Sequence, residues 1–207
     1  MSKTNLAFIR KGRVSIIKIF FDTEFTGLRK DTTLISIGLV SEDNKQFYAE
    51  LIDYDEKQCD DWIKENVIKK LYKYNWKERE SKYIPNYHLG AKSEIGKVLG
   101  NWLAQFDSVE FVSDVSHYDM VLLINLLGGV WGLPKHICPA CIDINQDIAK
   151  KYNITLQQAF DESREDILYQ NHRENKVKGD KHNALYDAKV IREIYQILNN
   201  VDFDNGR

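Results

Sequence analysis

Residues 16–28 read IIKIFFDTEFTGL, and the first six of them form a short apolar run rich in β-branched and aromatic side chains. A run with this composition predicts a buried central strand over residues 16–21. We expect the strand to end at Asp22. Asp22 and Glu24 are two positions apart, so extended backbone directs both side chains to the same side of the sheet.

Further strand signals follow along the chain. Leu34–Val40 and Gln46–Leu51 are strand-like, and Asn44-Lys45 separates them as a turn would in a hairpin. These segments predict an antiparallel three-stranded start to the sheet. Later, Val109–Ser113 has the character of a second buried strand, and Pro139–Ile144 that of a short one.

Helical spacing of apolar residues occurs in four segments. It covers residues 60–73 and 93–106, then residues 117–127, where Gly128-Gly129 would end the helix, and finally residues 183–198. Strands that come first and then alternate with helices predict an α/β fold, namely a mixed β-sheet flanked by α-helices.

The composition limits the classes of protein to which the chain can belong. Hydrophobic residues make up 43% and charged residues 29%, which is typical of a globular protein rather than of a disordered or membrane-embedded one. At 207 residues we expect one domain over residues 16–200, with an extension at 1–15 and a tail at 201–207. The odd cysteine count and the lack of a signal-peptide pattern favour a reducing, cytoplasmic location.

Acidic residues at three points of the sequence could converge on one site. Asp22 and Glu24 follow the first strand, Asp119 lies in the first turn of the third predicted helix, and Asp187 lies early in the last. Converging carboxylates suit hard divalent cations such as Mg²⁺ or Mn²⁺, which take oxygen ligands. Simpler explanations exist, because strand ends often carry surface acids and a first-turn acid complements the helix dipole. Asp114 is the rival acid in the segment of Asp119.

His182 precedes Asp187 by five positions, which is about 140° around a regular helix. One helical face therefore cannot present both side chains. We expect His182 in the loop before the last helix and Asp187 in its early turns, from where both could reach one site. The alternative is a surface histidine ahead of an ordinary helix start.

Three segments taken together resemble the motifs of a known nuclease family. DTEFTGL at 22–28, SDVSHYDMVLL at 113–123 and HNALYDA at 182–188 are similar, in order and separation, to the three exonuclease motifs of the DEDDh superfamily. Ribonuclease T, oligoribonuclease and the proofreading subunit of replicative polymerases are members. The opening segment is most similar to a small bacterial branch of exoribonuclease-like proteins.

The resemblance implies a fold, a reaction and a set of site residues. The fold would be RNase H-like. The reaction would be 3′→5′ hydrolysis at single-stranded ends, RNA before DNA, with release of nucleoside 5′-monophosphates. Asp22, Glu24, Asp119 and Asp187 would hold two divalent metal ions, Mg²⁺ or Mn²⁺, and His182 would be the general base.

The resemblance also bears on substrate contacts. In the family, residues after the first acids wedge against the terminal base, which implies contacts from Phe25 and Thr26, although core packing would explain Phe25 equally well. Lys181 adjoins His182 at the end of a basic segment, so it could contact phosphate. Where many relatives carry a His-Asn pair this chain has Asp114-Val115, which leaves a substrate contact there in doubt.

Two weaker signals have ordinary alternatives. Residues 136–141 contain Cys138 and Cys141 in a Cys-x-x-Cys spacing that could be half a zinc site, and buried apolar cysteines are the preferred interpretation. Residues 69–77 interleave lysines with aromatic residues, as a platform for single-stranded nucleic acid would, and a half-solvated helix end explains them too.

The net charge of −2 bears on the substrate. Affinity for long duplexes comes from neutralised phosphates and usually requires a basic protein. The charge therefore favours an enzyme that grips a short single-stranded 3′ end, with bound cations supplying the positive charge. A DNA exonuclease and a catalytically silent nucleic-acid-binding module on the same fold are the alternatives, and a homodimer is left open.

Overall fold

The computed structural model describes residues 15–74 and 86–204, and the six strands within them form one mixed sheet. The strands are β1 Ile16–Phe25, β2 Leu34–Ser41, β3 Gln46–Leu51, β4 Tyr87–Gly90, β5 Ser108–Ser113 and β6 Ile137–Asp143. Their order in the sheet is β4-β3-β2-β1-β5-β6. β2 pairs antiparallel with β1 and β3, as the sequence predicts, and the other pairings are parallel.

Helices cover both faces of this sheet. They are α1 Asp61–Asn66, α2 Lys92–Leu103, α3 Ser116–Leu126, α4 Ile144–Tyr152, α5 Leu156–Asp161, α6 Arg164–Gln170 and α7 Ala184–Asn199. The predicted α/β class, a mixed sheet flanked by helices, is confirmed. Within residues 15–74 and 86–204, none of these helices combines the length and apolar character needed to cross a bilayer.

β1 extends further than the sequence predicts. Its antiparallel pairing with β2 continues past the apolar run, with Asp22 opposite Gly38 and Glu24 opposite Ser36. The strand ends at Phe25, after a register irregularity that follows Glu24. The two acids therefore belong to the strand itself, and the sheet fixes their backbone.

The helix predicted over residues 60–73 is shorter in the structure. α1 ends at Asn66, and a 3₁₀ turn at Ile68–Lys70 follows it. The buried carboxylate of Glu50 on β3 accepts the backbone N–H groups of Tyr72 at 2.6 Å and Lys73 at 3.0 Å. These hydrogen bonds hold residues 72–73 against the sheet, so the helix cannot continue through them.

Alternation along β1 divides its side chains between two apolar cores. Ile19 and Phe21 are fully buried in the core formed with α2 and α3. Phe20 is fully buried in the core formed with α4–α7. Asp22 and Glu24 share the face of Phe20, because strand side chains alternate. They therefore face the layer that contains α7.

α7 begins directly against β2, at a position that requires glycine. A Cβ added to Gly38 would lie 2.3 Å from the backbone carbonyl carbon of Ala184 and 2.3 Å from the backbone nitrogen of Leu185. Asn183 caps the helix, and its side chain accepts a backbone N–H of the first turn. Because Gly38 pairs with Asp22, this close approach places the start of α7 beside the acids of β1.

Candidate active site

Carboxylates that are far apart in the sequence meet beside the end of β1. The oxygens of Asp22, Glu24 and Asp187 lie within 4.8 Å of one another, and so do those of Asp22, Asp114 and Asp119. The two sets share Asp22. The structure thus brings together the four predicted acids, and it adds Asp114 to them.

Asp119 is fully buried, and both of its carboxylate oxygens accept hydrogen bonds. The Thr23 hydroxyl donates to one oxygen at 2.5 Å, and the Ser113 hydroxyl donates to the other. Burial raises the pKa of Asp119 to about 7, even though these two hydrogen bonds favour the charged form. Thr23 alternates with Asp22 and Glu24 along β1, which is why it faces α3 on the other side of the sheet.

The other acids are also hard to ionise without a compensating positive charge. Burial raises the pKa of Asp22 and of Glu24 well above the ordinary values, and repulsion from neighbouring carboxylates adds to the effect. Burial, followed by the charge of Asp114, likewise raises the pKa of Asp187, while a hydrogen bond from the His182 backbone opposes the shift. Clustered oxygen donors with excess negative charge fit hard divalent cations such as Mg²⁺ and Mn²⁺.

His182 lies immediately before the cap of α7, with a left-handed backbone φ of 64°. Its ring is partly buried and meets the half-exposed indole of Trp62 edge-on, with ring centroids 5.0 Å apart. Burial, followed by the charges of Lys70 and Lys181, lowers the pKa of His182 below its ordinary 6.5. The imidazole is therefore neutral at pH 7 and able to accept a proton.

A cavity of about 660 Å³ opens over this cluster. Its walls include Asp22, Glu24, Asp187 and His182, while the buried Asp119 joins the cluster from beneath. The volume lies within the roughly 300–1,000 Å³ range of pockets that hold small ligands. The cavity therefore has room for part of a substrate directly against the acids.

Two of the three predicted substrate contacts, Phe25 and Lys181, line the cavity. Phe25 is stacked on Tyr118, with ring centroids 5.3 Å apart and planes inclined by 12°. The Lys181 Nζ atom lies 3.2 Å from a carboxylate oxygen of Glu165, so its charge is already paired. Phe25 thus offers an aromatic surface at the site, whereas Lys181 would have to exchange partners to bind phosphate.

Thr26, the third predicted contact, does not line the cavity, and its side chain is fully buried. Its hydroxyl donates to Gln58 Oε1 at 2.5 Å and accepts the backbone N–H of Thr33 at 2.8 Å. The backbone N–H of Thr26 donates to the Thr33 carbonyl at 3.0 Å. The side chain of Thr26 therefore fastens the turn between β1 and β2 to Gln58, because its hydroxyl is occupied by Thr33 of that turn and by Gln58.

Arg164 belongs to the site, and no local sequence pattern identifies it. Its Nε donates to Asp114 Oδ2 at 3.1 Å, and its Nη2 donates to Asn145 Oδ1 at 2.6 Å. Asn145 Nδ2 in turn donates to the backbone carbonyl of Asp114 at 2.7 Å. These contacts hold Asp114 beside Asp22 and Asp119. Asp114 and Arg164 are 50 positions apart, so the pairing becomes evident only in the fold.

Lys69 and Lys70, the first two lysines of the segment at residues 69–77, make contacts within the protein. Lys69 forms an ion pair with Glu65 at 2.5 Å, and Lys70 Nζ donates to the backbone carbonyl of Lys181 at 2.9 Å. Residues 75–77 lie outside the described residues. Lys70 therefore acts on the loop that carries His182, a role that the basic and aromatic pattern does not indicate.

The Cys-x-x-Cys segment forms most of β6, which lies at the edge of the sheet. Cys138 is exposed and Cys141 is partly buried. The expectation of two buried cysteines is therefore wrong for Cys138, because an edge strand leaves part of its surface open to solvent.

Known proteins share both the sequence pattern and the fold. The model of the 3′-5′ exoribonuclease Rv2179c-like domain family matches residues 17–198. The chain is similar to two curated proteins of Mycobacterium tuberculosis. They are 3′-5′ exoribonuclease MT2234.1 of strain CDC 1551 / Oshkosh and 3′-5′ exoribonuclease Rv2179c of strain ATCC 25618 / H37Rv. Each is 29% identical over 124 residues, which is 58% of this chain and 67% of the relative.

Two solved structures are similar in fold. The nuclease domain of 3'hExo, a DEDDh family member, bound to rAMP, has a TM-score of 0.63 at 14% identity, covering 89% of this chain and 92% of that one. Cell-death related nuclease 4 (CRN-4) has a TM-score of 0.60 at 13% identity, covering 89% and 64%. These likenesses confirm the RNase H-like fold that the three motifs imply.

Proposed function

The chain belongs to the 3′-5′ exoribonuclease Rv2179c-like domain family, and we propose that it removes nucleotides from single-stranded RNA 3′ ends by two-metal-ion hydrolysis. The products are nucleoside 5′-monophosphates. The observation that carries the proposal is the convergence of the four acids with His182 at one cavity. If the acids served only to cap strands and helices, the fold would not need to bring them together at one cavity.

The carboxylates divide into two places for cations. Asp22, Glu24 and Asp187 would hold one ion, and Asp22 and Asp119, with Asp114 beside them, would hold the second. Mg²⁺ or Mn²⁺ bound there would lower the pKa of a water molecule and offset the negative charge of the reacting phosphate. The chain would hold those ions in place through the strand pairing of β1 and the starts of α3 and α7.

His182 is the proposed general base, because its neutral imidazole can take a proton from the attacking water. The water oxygen bonds to phosphorus, and the bond from phosphorus to the 3′-oxygen of the penultimate nucleotide breaks. The terminal nucleotide leaves as a 5′-monophosphate, and the 3′-oxygen of the shortened strand takes up a proton from solvent and becomes its new 3′-hydroxyl. The positive φ of His182 and the edge contact with Trp62 hold the ring at the cavity wall.

The choice of single-stranded RNA rests on charge, on an aromatic surface and on the relatives. A protein with a net charge of −2 has few contacts to offer a long duplex. Phe25 presents its ring at the cavity wall, where the base of a frayed terminal nucleotide can stack. Both curated relatives are named as exoribonucleases, which favours RNA over DNA.

The test is incubation of a 5′-labelled single-stranded RNA decamer with the protein in Mn²⁺, in Mg²⁺ and in excess EDTA. We expect a ladder that shortens from the 3′ end and nucleoside 5′-monophosphates with either metal, and no cleavage with EDTA. His182→Ala should lower kcat by about 10²–10⁴-fold while binding in Ca²⁺ survives. His172→Ala is the matched control, because His172 is exposed, also has a positive φ and does not line the cavity.

Three results would contradict the proposal in different ways. Cleavage of a circular RNA would show an endonuclease. Faster degradation of the matching DNA decamer would favour a DNA exonuclease. Binding of RNA without hydrolysis in either metal would indicate the silent binding module.

A further inference from the structure

We propose that a groove beside the catalytic cavity binds the RNA strand just upstream of its terminal nucleotide. This outer groove, of about 290 Å³, is lined by residues that include Arg29, Lys30, His117, Tyr118 and Asn125. The inference rests on the proposed function. The groove would give the strand that the reaction shortens a defined path, with cationic side chains for its phosphates and aromatic side chains for its bases.

A row of rings connects the cavity to the outer groove. Phe25 lines the catalytic cavity and stacks on Tyr118, which lines the outer groove. The ring of His117 follows, with its centroid 5.2 Å from that of Tyr118. Consecutive aromatic side chains bind successive bases of a single strand without regard to sequence. The row therefore provides a route from the reacting nucleotide to its upstream neighbours.

The catalytic cavity and the outer groove differ in the charge of the residues that line them. The catalytic cavity carries clustered carboxylates, whereas the residues that line the outer groove include no aspartate or glutamate. Arg29 and Lys30 are exposed, and neither forms an ion pair with another residue of the described part of the chain. Two unpaired cations at the edge of an acidic site suit the phosphates of a strand that leaves that site.

The remaining charged wall of the cavity is unsuited to that strand. It carries Asp161, Glu162 and Glu165 from the α5–α6 region, which would repel phosphate. The cations there are engaged, since Arg164 pairs with Asp114 and Lys181 with Glu165. Because the broken bond joins the terminal nucleotide to the penultimate one, the strand must leave over one wall. The rim of rings and free cations is the favourable exit.

The turn that carries the two cations is held in place before substrate arrives. The buried hydroxyl of Thr26 contacts Gln58 and Thr33 across the turn, as described above. Arg29 is held within the turn as well, because the Thr32 backbone N–H donates to the Arg29 carbonyl at 3.3 Å. A prearranged turn loses less conformational entropy when it binds phosphate.

The test compares substrates of two lengths in the full-length protein. Arg29→Ala/Lys30→Ala should raise KM for a single-stranded RNA decamer by about tenfold, as expected for two exposed phosphate contacts, and leave kcat within about twofold. The slope of log KM against log salt should fall by about 1.4. A dinucleotide with a 5′-hydroxyl has only the phosphate that reacts and none for Arg29 and Lys30 to contact, so the double variant should cleave it with kinetic constants within about twofold of the wild-type values.

Lys150→Ala/Lys151→Ala is the matched control, because this adjacent pair is exposed at the end of α4 and lines neither the cavity nor the groove. It should change neither substrate. Equal losses on the dinucleotide and the decamer, or equal effects of the two double variants, would overturn the outer groove as the upstream site. Failure of the wild type to cleave either RNA would instead refute the proposed function itself.

Discussion

Replacement of Gly38 by alanine should disable the site without altering any acid. Gly38 lies on β2 opposite Asp22, and the start of α7 rests on it. An added Cβ would be 2.3 Å from backbone atoms of Ala184 and Leu185, where ordinary van der Waals contact begins at 3.4 Å. About 1.1 Å of movement is therefore needed, and rigid backbone rather than a flexible side chain must provide it.

That movement separates two sets of ligands. Asp187 and His182 belong to α7 and the residue before its cap, so they would shift relative to Asp22 and Glu24 on β1. Overpacking of this kind costs about 1–3 kcal/mol, which a domain stable by roughly 5–15 kcal/mol survives. A misplacement of about 1 Å in a catalytic site can lower the rate by about 10²-fold. The variant should fold, bind Mn²⁺ more weakly and turn over slowly.

Gly100→Ala is the matched control for this substitution. Gly100 lies within α2, and a Cβ there would meet no atom within 4 Å, so helix propensity alone should stabilise the protein by about 0.5–1 kcal/mol. Urea unfolding, Mn²⁺ calorimetry and single-turnover RNA cleavage would be measured on both variants. If Gly38→Ala binds Mn²⁺ and cleaves RNA as the wild type does, the contact between α7 and β2 does not set the geometry of the site.

Further predictions concern metal and protons. Asp187→Asn should weaken Mn²⁺ binding, and its activity should recover partly at high Mn²⁺ concentration. The activity of His182→Ala should not recover in this way. Equal rescue of both variants would contradict the roles of Asp187 as metal ligand and His182 as base. The wild-type kcat, measured against pH, should rise through the pKa of His182, below 6.5, and then level. Lys70→Ala should move the midpoint of this rise to higher pH, because a nearby positive charge is removed. An unchanged midpoint would argue against His182 as the base. Without metal, the raised pKa of Asp119 makes the folded state the tighter proton binder, so this group alone should lower the free energy of unfolding by about 4 kcal/mol between about pH 4 and above pH 7, and the raised pKa values of Asp22, Glu24 and Asp187 should add to the fall. In urea unfolding, Asp119→Asn should make that fall smaller and saturating Mn²⁺ should flatten it, and a pH dependence unchanged by both would contradict the assignment.

The sheet could be predicted in large part because its signals are local. The apolar run of β1, the strand-like composition of β2 and β3 and the turn between them each appear within a few residues. The end of β1 could not be predicted in this way. Acids interrupt the apolar run, but the pairing of Asp22 with Gly38 and of Glu24 with Ser36 carries the strand further. Pairing between strands depends on the fold and cannot be predicted from the apolar run of β1 alone.

The same limit explains the helix predicted at residues 60–73. Its apolar spacing is real, since Ile63, Val67 and Leu71 pack in one small core. α1 nevertheless ends at Asn66, and a buried carboxylate on β3, Glu50, takes the backbone N–H groups of Tyr72 and the next residue, so these two residues do not continue a helix. Periodicity predicts which residues are buried. It does not predict which distant acceptor will compete for the backbone.

The site combines local and distant information in one short segment. DTE at residues 22–24 places two carboxylates on one face of β1, and this much follows from the period of a strand. The middle residue, Thr23, points to the other face and donates to Asp119, which is 96 positions away. The segment thus joins α7 on one side of the sheet to α3 on the other. Thr23→Val, which keeps the shape and removes the hydroxyl, should therefore loosen Asp119 and weaken the second cation while Asp22, Glu24 and Asp187 retain the first, because only the α3 side of the site depends on that hydrogen bond.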